Sequence, residues 1–219
     1  MKLSLPPSRA YLFDLDGTLV DSNALHVASW AETARRRGFP MADPDHIGKC
    51  GMRTSAVIRE ILRWPVDEAT ADAIGEEKEA LYRQWISERG IAPVPGVLPF
   101  LAAARSAGIR CAVATSASRA NLDACLDALA LRDAFCATVT GEEVPRGKPA
   151  PDIFALAATR TGIPPAQCLA FEDSPAGVAS AHAAGIPVVA VLTSHTPAEL
   201  AAADLVVADF SSLRPVPLR

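Results

Sequence analysis

The stretch YLFDLDGTLVDS, residues Tyr11–Ser22, decides the fold. It starts with apolar residues typical of a buried β-strand, but it then carries two carboxylates, Asp14 and Asp16, before it breaks at Gly17. A charged side chain in a buried strand is costly unless another group compensates its charge. Residues elsewhere in the chain must therefore offset these acids.

Short apolar stretches alternate with helical patterns from Gly96 onward. The predicted strands are RCAVAT (110–115), ATVT (137–140), CLAFED (168–173), PVVAVL (187–192) and LVVAD (205–209). The predicted helices are 97–107, 119–130, 152–161, 175–184 and a short one near 197–202. Apolar, often β-branched strands that alternate with amphipathic helices indicate a parallel sheet with helices on both faces. We therefore expect an α/β fold with a Rossmann-like, doubly wound parallel sheet that includes the strand at Tyr11.

The segment from Asp21 to Ala92 breaks this alternation, because its patterns predict helices alone, at 23–37, 52–63 and 68–89. The stretches MADP and RWPVDE separate these helices, and APVPG returns the chain to the α/β part. The sequence thus predicts an α/β core domain, residues 1–20 and 93–219, with an α-helical cap domain, residues 21–92, inserted after the first strand.

Composition excludes several classes of protein. The chain has 219 residues and a formal net charge of -4, so it lacks the basic surface of proteins that bind nucleic acid or anionic membranes. Its five cysteines are odd in number and form no CxxC pair, which favours reduced thiols over a disulfide framework or a zinc site. No apolar run reaches the length of a membrane-spanning helix. We expect a cytoplasmic protein, a monomer or a weak homodimer, without nucleic-acid or membrane partners.

Polar residues collect where the predicted strands end. They are Asp14 and Asp16 after the first strand, Thr115 and Ser116 after the second, Glu172 and Asp173 after the fourth, and Lys148 in the loop GEEVPRGKPAPD after the third. In open α/β sheets, ligands bind outside the carboxyl ends of the strands. We therefore expect these side chains to meet at one edge of the sheet.

The charges of this group predict its ligands. Neighbouring carboxylates cannot all stay ionised without a cation, and one lysine is not enough. Oxygen ligands without histidine or cysteine favour Mg²⁺ at a phosphate site. Lys148, the hydroxyls of Thr115 and Ser116, and free backbone N–H groups near Gly17 suit an anion with several oxygens, above all phosphate.

The spacing of Asp14 and Asp16 allows two different roles. Alternation along a strand points both side chains to the same side. One carboxylate can attack phosphorus and form an aspartyl-phosphate, while the other moves protons to the leaving oxygen and from water. Gly17 lets the backbone approach a phosphate closely. The alternative is that Asp14 caps a turn and Asp16-Gly17 forms a hairpin-type turn, but the polar ends of the other strands disfavour it.

The same residues resemble a known family. FDLDGTLVDS resembles the first signature of the haloacid dehalogenase-like (HAD) phosphohydrolase superfamily, and the other signatures follow in order as AVATSAS around Thr115, RGKPAPD around Lys148 and FEDSPAG around Asp173. The resemblance extends from about Tyr11 to Asp209. A helical cap directly after the first motif is similar to the subgroup that contains β-phosphoglucomutase and small sugar-phosphate phosphatases.

The resemblance implies a role for each matching position. Asp14 would be the nucleophile and a Mg²⁺ ligand, and Asp16 would be the general acid/base that also binds the metal through its backbone carbonyl. Asp173 would bind Mg²⁺, with Glu172 beside it either as a further ligand or as a supporting acid. The phosphoryl group would be held by Gly17, Thr115, Ser116 and Lys148.

The predicted cap domain contains weaker candidates for substrate contacts. His26 lies on its first helix, and Lys49 and Arg53 flank a glycine turn in GKCGMRTS. His26 could contact the substrate or transfer a proton, and Lys49 and Arg53 could hold the distal part of a sugar phosphate. For each of the three, a structural or solvated side chain is the favoured alternative. His182 and His195 have no partner that the sequence identifies, so we expect them to be structural or exposed.

These patterns lead to one leading function. The sequence predicts a Mg²⁺-dependent phosphatase that hydrolyses a small phosphomonoester, such as a sugar or polyol phosphate, through an aspartyl-phosphate. The alternative is a β-phosphoglucomutase-like phosphomutase, in which a second sugar hydroxyl replaces water as the acceptor. A receiver-type signalling domain also uses acids, a hydroxyl and a lysine at a sheet edge, but the long helical insert disfavours it.

Overall fold

The computed structural model describes residues 3–41, 47 and 54–218. Its strands are β1 Leu3–Ser4, β2 Ala10–Phe13, β3 Val20–Asp21, β4 Ala92–Pro93, β5 Arg110–Ala114, β6 Ala137–Val139, β7 Cys168–Glu172, β8 Val188–Val191, β9 Leu205–Val207 and β10 Leu213–Arg214. Six of them form one parallel sheet in the order β6-β5-β2-β7-β8-β9. The predicted parallel sheet is therefore confirmed.

The α-helices are α1 Asn23–Arg37, α2 Thr54–Ala56, α3 Glu68–Arg89, α4 Val97–Ser106, α5 Arg119–Ala128, α6 Asp152–Thr161 and α7 Pro175–Ala183. The helix predicted at 52–63 starts, within the described residues, at Thr54 and continues as a π-helix over Val57–Ile61. The short helix predicted near 197–202 is wrong. This segment forms successive turns, because so few residues cannot repay the cost of helix nucleation.

Hydrophobic packing explains why the strands are apolar on both faces. Along β2, Tyr11 and Phe13 face one buried cluster, whereas Ala10 and Leu12 face the other. Helices α4 and α5 cover the first cluster, and α6 and α7 cover the second. Phe13 also stacks on Phe171 of β7, with ring centroids 4.8 Å apart. The sheet is thus doubly wound, and its apolar strands leave the polar groups to the strand ends.

The segment between β3 and β4 is helical among the residues that the structure describes. Strand β3 leads the chain out and pairs antiparallel with β4, which leads it back. Helices α1 and α3 pack together, and Trp30, Ile58, Trp64 and Ile74 belong to a separate buried cluster there. These features support our proposal that residues 21–92 are a cap domain and that residues 1–20 and 93–219 are the core.

Within the described part of the chain, no helix combines the length and the apolar character needed to cross a bilayer.

Candidate active site

A buried lysine joins two of the strand ends. Asp14 directly follows β2, and its backbone N–H donates to the Phe171 carbonyl of β7 at 3.0 Å. Lys148 Nζ lies 2.6 Å from Asp14 Oδ1 and 2.5 Å from Glu172 Oε1. The Lys148 side chain is only 5% exposed, so this ion pair is shielded from water. The structure thus brings Asp14, Lys148 and Glu172 together, as the strand-end pattern predicts.

Hydrogen bonds occupy both carboxylate oxygens of Glu172. Its Oε1 faces Lys148, and its Oε2 accepts from the backbone N–H of Asp173 and of Ser174, both at 2.8 Å. The Ser174 hydroxyl also donates to this Oε2 at 2.9 Å. Glu172 therefore orients Lys148 on one side and fixes the turn that carries Asp173 on the other.

Close packing of α7 against this carboxylate requires Gly177. A Cβ placed on Gly177 would lie 1.8 Å from Glu172 Cδ. We predict that Gly177→Ala destabilises the fold by about 1–3 kcal/mol or more, because overpacking a buried site forces neighbouring groups to move. Urea denaturation measures the loss. Gly185→Ala would be a poor control, because Gly185 has a positive φ of 73° and alanine would be strained there. Gly147→Ala, where a Cβ meets nothing within 4 Å, is the control. An unchanged midpoint for Gly177→Ala would contradict the prediction.

The acidic cluster lacks enough positive charge. Ligand atoms of Asp14, Glu172 and Asp173 all lie within 4.8 Å of one another. Burial raises the pKa of Asp14 to about 8, since the attraction of Lys148 does not outweigh burial and the repulsion from Glu172 and Asp16. Burial, Glu172 and Asp14 likewise raise the pKa of Asp173 well above its usual range. A divalent cation would relieve this repulsion.

The turn after β2 approaches Asp173 so closely that only glycine fits there. Gly17 has a φ of 76°, and a Cβ at this position would lie 2.0 Å from Asp173 Oδ2. At the next strand end, the Thr115 hydroxyl accepts from the backbone N–H of Ala117 at 3.0 Å, and Thr115 and Ser116 line the same cavity as Gly17. The predicted phosphate-binding positions therefore share one cavity.

Asp16 lies at the junction between the sheet and the helical segment. His26 Nε2 of α1 is 3.1 Å from Asp16 Oδ1, and the Tyr82 hydroxyl of α3 donates to the same oxygen at 3.3 Å. Burial raises the pKa of Asp16, but His26, Ser22 and Lys78 together lower it to about 2. Side chains of the helical segment, above all His26, therefore stabilise the ionised form of Asp16.

A cavity of about 600 Å³ separates the sheet edge from the helical segment. Asp14, Thr115 and Lys148 line it from the sheet, and His26 and Lys78 line it from the helices. Of the three candidates in the predicted cap, His26 is thus at the cavity. Lys49 and Arg53 lie outside the described residues.

Several residues at the site had no assigned role in the sequence. Lys78 Nζ lies 2.8 Å from His26 Nδ1, and the Tyr82 ring stacks on the His26 ring with centroids 4.1 Å apart. Lys78 and Tyr82 are four positions apart, so they lie on the same face of α3, and both are buried. A lysine on a buried helix face is the sequence feature that could have pointed to the site. His195, which was expected to be structural or exposed, is half-buried, and its Nδ1 contacts the Asp173 carbonyl at 2.9 Å. Its position just after β8 follows the strand-end rule that found the other residues.

Comparison with known proteins identifies the family. A family model for haloacid dehalogenase-like hydrolases matches residues 8–185. The chain is 36% identical over 215 residues to protein CbbY of Rhodobacter capsulatus, covering 93% of this chain and 94% of that protein. It is 34% identical over 200 residues to hexitol phosphatase A of Escherichia coli K12, covering 90% of this chain and 89% of that protein.

A solved structure agrees with these matches over nearly the whole chain. The crystal structure of a CbbY mutant from Rhodobacter sphaeroides in complex with xylulose-(1,5)bisphosphate is 29% identical, with a TM-score of 0.83, and the match covers 93% of this chain and 95% of that chain. The family match and the named phosphatase confirm the predicted enzyme class, a phosphoric monoester hydrolase. The chain therefore belongs to the haloacid dehalogenase-like hydrolase family.

Proposed function

We propose that the chain hydrolyses a small sugar or polyol phosphate with Mg²⁺ through an aspartyl-phosphate on Asp14. The observation that carries this proposal is the buried Asp14, which is paired with Lys148 at 2.6 Å and lines the cavity at the sheet edge. The substrate class is supported by two relatives, a hexitol phosphatase and a CbbY protein crystallised with a sugar bisphosphate.

The donor atoms at this edge fit a magnesium ion. The carboxylates of Asp14 and Asp173, with the backbone carbonyl of Asp16, would supply hard oxygen ligands of the kind that Mg²⁺ prefers. Glu172 is less suited to bind the ion, because both of its oxygens already accept hydrogen bonds. We propose that Glu172 instead supports Lys148 and Asp173. When bound, the ion would neutralise the carboxylates and the charge on the phosphoryl oxygens.

The first chemical step uses Asp14 and Asp16. A carboxylate oxygen of Asp14 attacks phosphorus, the ester P–O bond breaks, and the leaving oxygen takes a proton from the Asp16 carboxyl. Asp16 must bind that proton when the substrate enters. The negative charge of the phosphoryl group opposes the pull of His26 and Lys78, which otherwise holds the pKa of Asp16 to about 2.

The second step returns the enzyme to its starting state. The Asp16 carboxylate takes a proton from water, the water oxygen attacks phosphorus, and the Asp14–phosphorus bond breaks to release phosphate. Throughout, Lys148 and the hydroxyls of Thr115 and Ser116 would hold the phosphoryl oxygens. The backbone N–H of Gly17 already donates to the Val20 carbonyl at 2.8 Å, so Gly17 would allow close approach to the phosphate rather than donate to it. Substrate selection would fall to the helical side of the cavity, where His26 contacts Asp16.

One contact keeps a phosphomutase as a second candidate. His26 lies 3.1 Å from Asp16, so it is placed to assist proton transfer from a sugar hydroxyl as well as from water. A mutase would return the phosphoryl group to a second hydroxyl of the bound sugar and would release little phosphate.

Location and assembly are also part of the proposal. Cys111, Cys125, Cys136 and Cys168 are free thiols in the structure, which supports a reducing compartment. We propose a cytoplasmic enzyme that works as a monomer or a weak homodimer.

Phosphate release from a panel of sugar and polyol phosphates tests the function. With Mg²⁺ we expect release from a narrow group of substrates, and we expect EDTA to reduce the rate by at least about 100-fold, because the uncompensated carboxylates then repel the phosphate. Added Mg²⁺ should restore the rate. Isomerisation of a hexose phosphate primed by a bisphosphate, without net phosphate release, would favour the mutase, and no activity of either kind would overturn the proposal.

A further inference from the structure

We infer that Thr193, Ser194 and His195, the residues that follow β8, form a bracket that positions Asp173 and the Gly17 turn for metal binding. This inference rests on the proposed Mg²⁺-dependent function. It assigns a positioning role to a segment outside the motifs that identify the family in the sequence.

Each residue of the bracket contacts a different group of the site. The Thr193 hydroxyl donates to the carbonyl of Gly17. The Ser194 hydroxyl lies beside the Asp173 carboxylate, where both face Gly17. The His195 Nδ1–H donates to the backbone carbonyl of Asp173 at 2.9 Å. The main chain of Asp173 is therefore held by the same loop whose Ser194 hydroxyl lies beside its carboxylate.

The Gly17 turn brings these contacts into one crowded place. A Cβ on Gly17 would lie 2.0 Å from Asp173 Oδ2 and 2.8 Å from Ser194 Oγ, so the turn, the carboxylate and the hydroxyl meet there. Ser194 is only 8% exposed and lines the cavity. The small side chain of Ser194 fits the narrow space between the Asp173 carboxylate and the Gly17 turn.

Electrostatic repulsion makes such a bracket necessary. Asp173 lies within 4.8 Å of the ligand atoms of Asp14 and Glu172, and each of these acids repels its carboxylate. A hydroxyl donor compensates part of that repulsion and selects one orientation of the carboxylate before the ion arrives. Groups that orient metal ligands in this way typically change metal affinity by 10–100-fold when they are removed.

The bracket also explains why Asp173 and Gly17 can act together although they belong to different strand ends. β8 lies next to β7 in the sheet, and Gly17 follows β2 on the other side of β7. A loop from β8 that reaches over the end of β7 to Gly17 holds both flanks of the Asp173 turn. The spacing between Asp173 and the backbone of the Asp16–Gly17 turn is thereby fixed.

Direct measurement of Mg²⁺ binding tests the inference. We expect isothermal titration calorimetry of the full chain without substrate to show Mg²⁺ affinity about 10-fold weaker for Ser194→Ala than for wild type, and about 3-fold weaker for His195→Ala. Thr196→Ala is the matched control, because Thr196 is an exposed hydroxyl of the same loop whose partner is Glu199. Its Mg²⁺ affinity should equal that of wild type. In steady-state assays, Ser194→Ala should need more Mg²⁺ for half-maximal rate while kcat at saturating Mg²⁺ stays within about 3-fold.

The outcomes separate this inference from the proposed function. If Ser194→Ala and His195→Ala both bind Mg²⁺ within about 2-fold of wild type, the bracket is wrong even though the phosphatase stands. If Ser194→Ala does not fold, His195→Ala decides alone, because His195 is partly exposed and its loss leaves the core intact. If wild type binds no Mg²⁺ and releases phosphate with EDTA present, the metal part of the proposed function fails, and the bracket fails with it.

Discussion

Asp14→Asn should abolish phosphate release, with kcat lower by at least about 10⁴-fold, because Asp14 is the nucleophile of the covalent mechanism that we propose and its removal closes that reaction path. Asparagine keeps the shape of the side chain and one acceptor oxygen, but its amide cannot form the acyl-phosphate. The measurement is phosphate release with the best substrate of the panel at saturating Mg²⁺.

The control for Asp14→Asn is Asp21→Asn, an exposed carboxylate of β3 in the same stretch of chain. Its activity should match that of wild type. Mass spectrometry after rapid acid quench should show one added phosphate on wild type during turnover and none on Asp14→Asn. Activity of Asp14→Asn above about one per cent of wild type would exclude Asp14 as the nucleophile.

The same variant has a second expected effect, on stability without metal. The pKa of Asp14 is raised to about 8 in the folded protein from an ordinary value of 3.8. A group with a raised pKa stabilises the fold below its unfolded pKa, and this contribution is lost as pH rises through the folded pKa. In EDTA, wild type should thus lose stability between about pH 4 and pH 8, and Asp14→Asn should lose less.

Thermal unfolding at both pH values checks this sign. Without metal at pH 8, we expect the Tm of Asp14→Asn to exceed that of wild type by roughly 4 °C or more, since about 1 kcal/mol shifts a domain of this size by 2–4 °C. Mg²⁺ should reverse the order, because the wild-type carboxylate is then a ligand. A lower Tm for Asp14→Asn than for wild type in EDTA at pH 8 would show that Lys148 alone compensates the negative charge of Asp14.

The sequence predicts the sheet edge well, for a physical reason. Parallel strands must align their carboxyl ends, so Asp14, Thr115, Lys148 and Asp173 had to converge once their strands were identified. The strands themselves are short apolar runs that the double covering of the sheet requires. The convergence of these side chains therefore follows from local pattern plus one topological rule.

The helical side of the cavity follows no such rule. The contact between His26 and Lys78 depends on the rotation of α1 and α3 about their own axes, and periodicity fixes which face is buried but not which residues of two buried faces meet. The same limit hid Tyr82, which a hydrophobic pattern assigns to the core although its hydroxyl reaches Asp16. Specificity on this side could be inferred only once the helices were placed.

Supporting contacts around the acids were also beyond the sequence. The spacing of Glu172 and Asp173 does not indicate that one carboxylate oxygen of Glu172 would accept from Lys148 and the other from the backbone of the following turn. The need for glycine at position 177 likewise arises from one close approach between α7 and the end of β7. Such contacts depend on distances of a few tenths of an ångström, which residue pattern does not encode.

Lys148→Met should cost both the activity and a large part of the stability. It leaves the carboxylates of Asp14 and Glu172 buried without their cation, and breaking a buried ion pair by removing one partner costs about 3–5 kcal/mol. Methionine keeps most of the length and the apolar stem of lysine but removes the ammonium, which lies 5.0 Å from the centroid of the Phe154 ring, so the loss reports charge more than packing. Urea denaturation in EDTA at pH 8 measures it.

The pH dependence and a neighbouring control separate charge from packing. Without Lys148 the pKa of Asp14 rises further above about 8, so wild type stops losing stability through this carboxyl near pH 8, whereas Lys148→Met continues to lose it as the pH rises. The deficit of Lys148→Met should therefore be larger at about pH 9.5 than at pH 5. Arg146→Met removes an exposed ion pair with Asp152 from the same loop and should cost no more than about 1 kcal/mol at either pH. A deficit for Lys148→Met that is equal at pH 5 and at about pH 9.5 would mean that packing, not charge, makes this lysine necessary. The pairing of one buried ammonium with two acids would then not be what prepares Asp14 for its role.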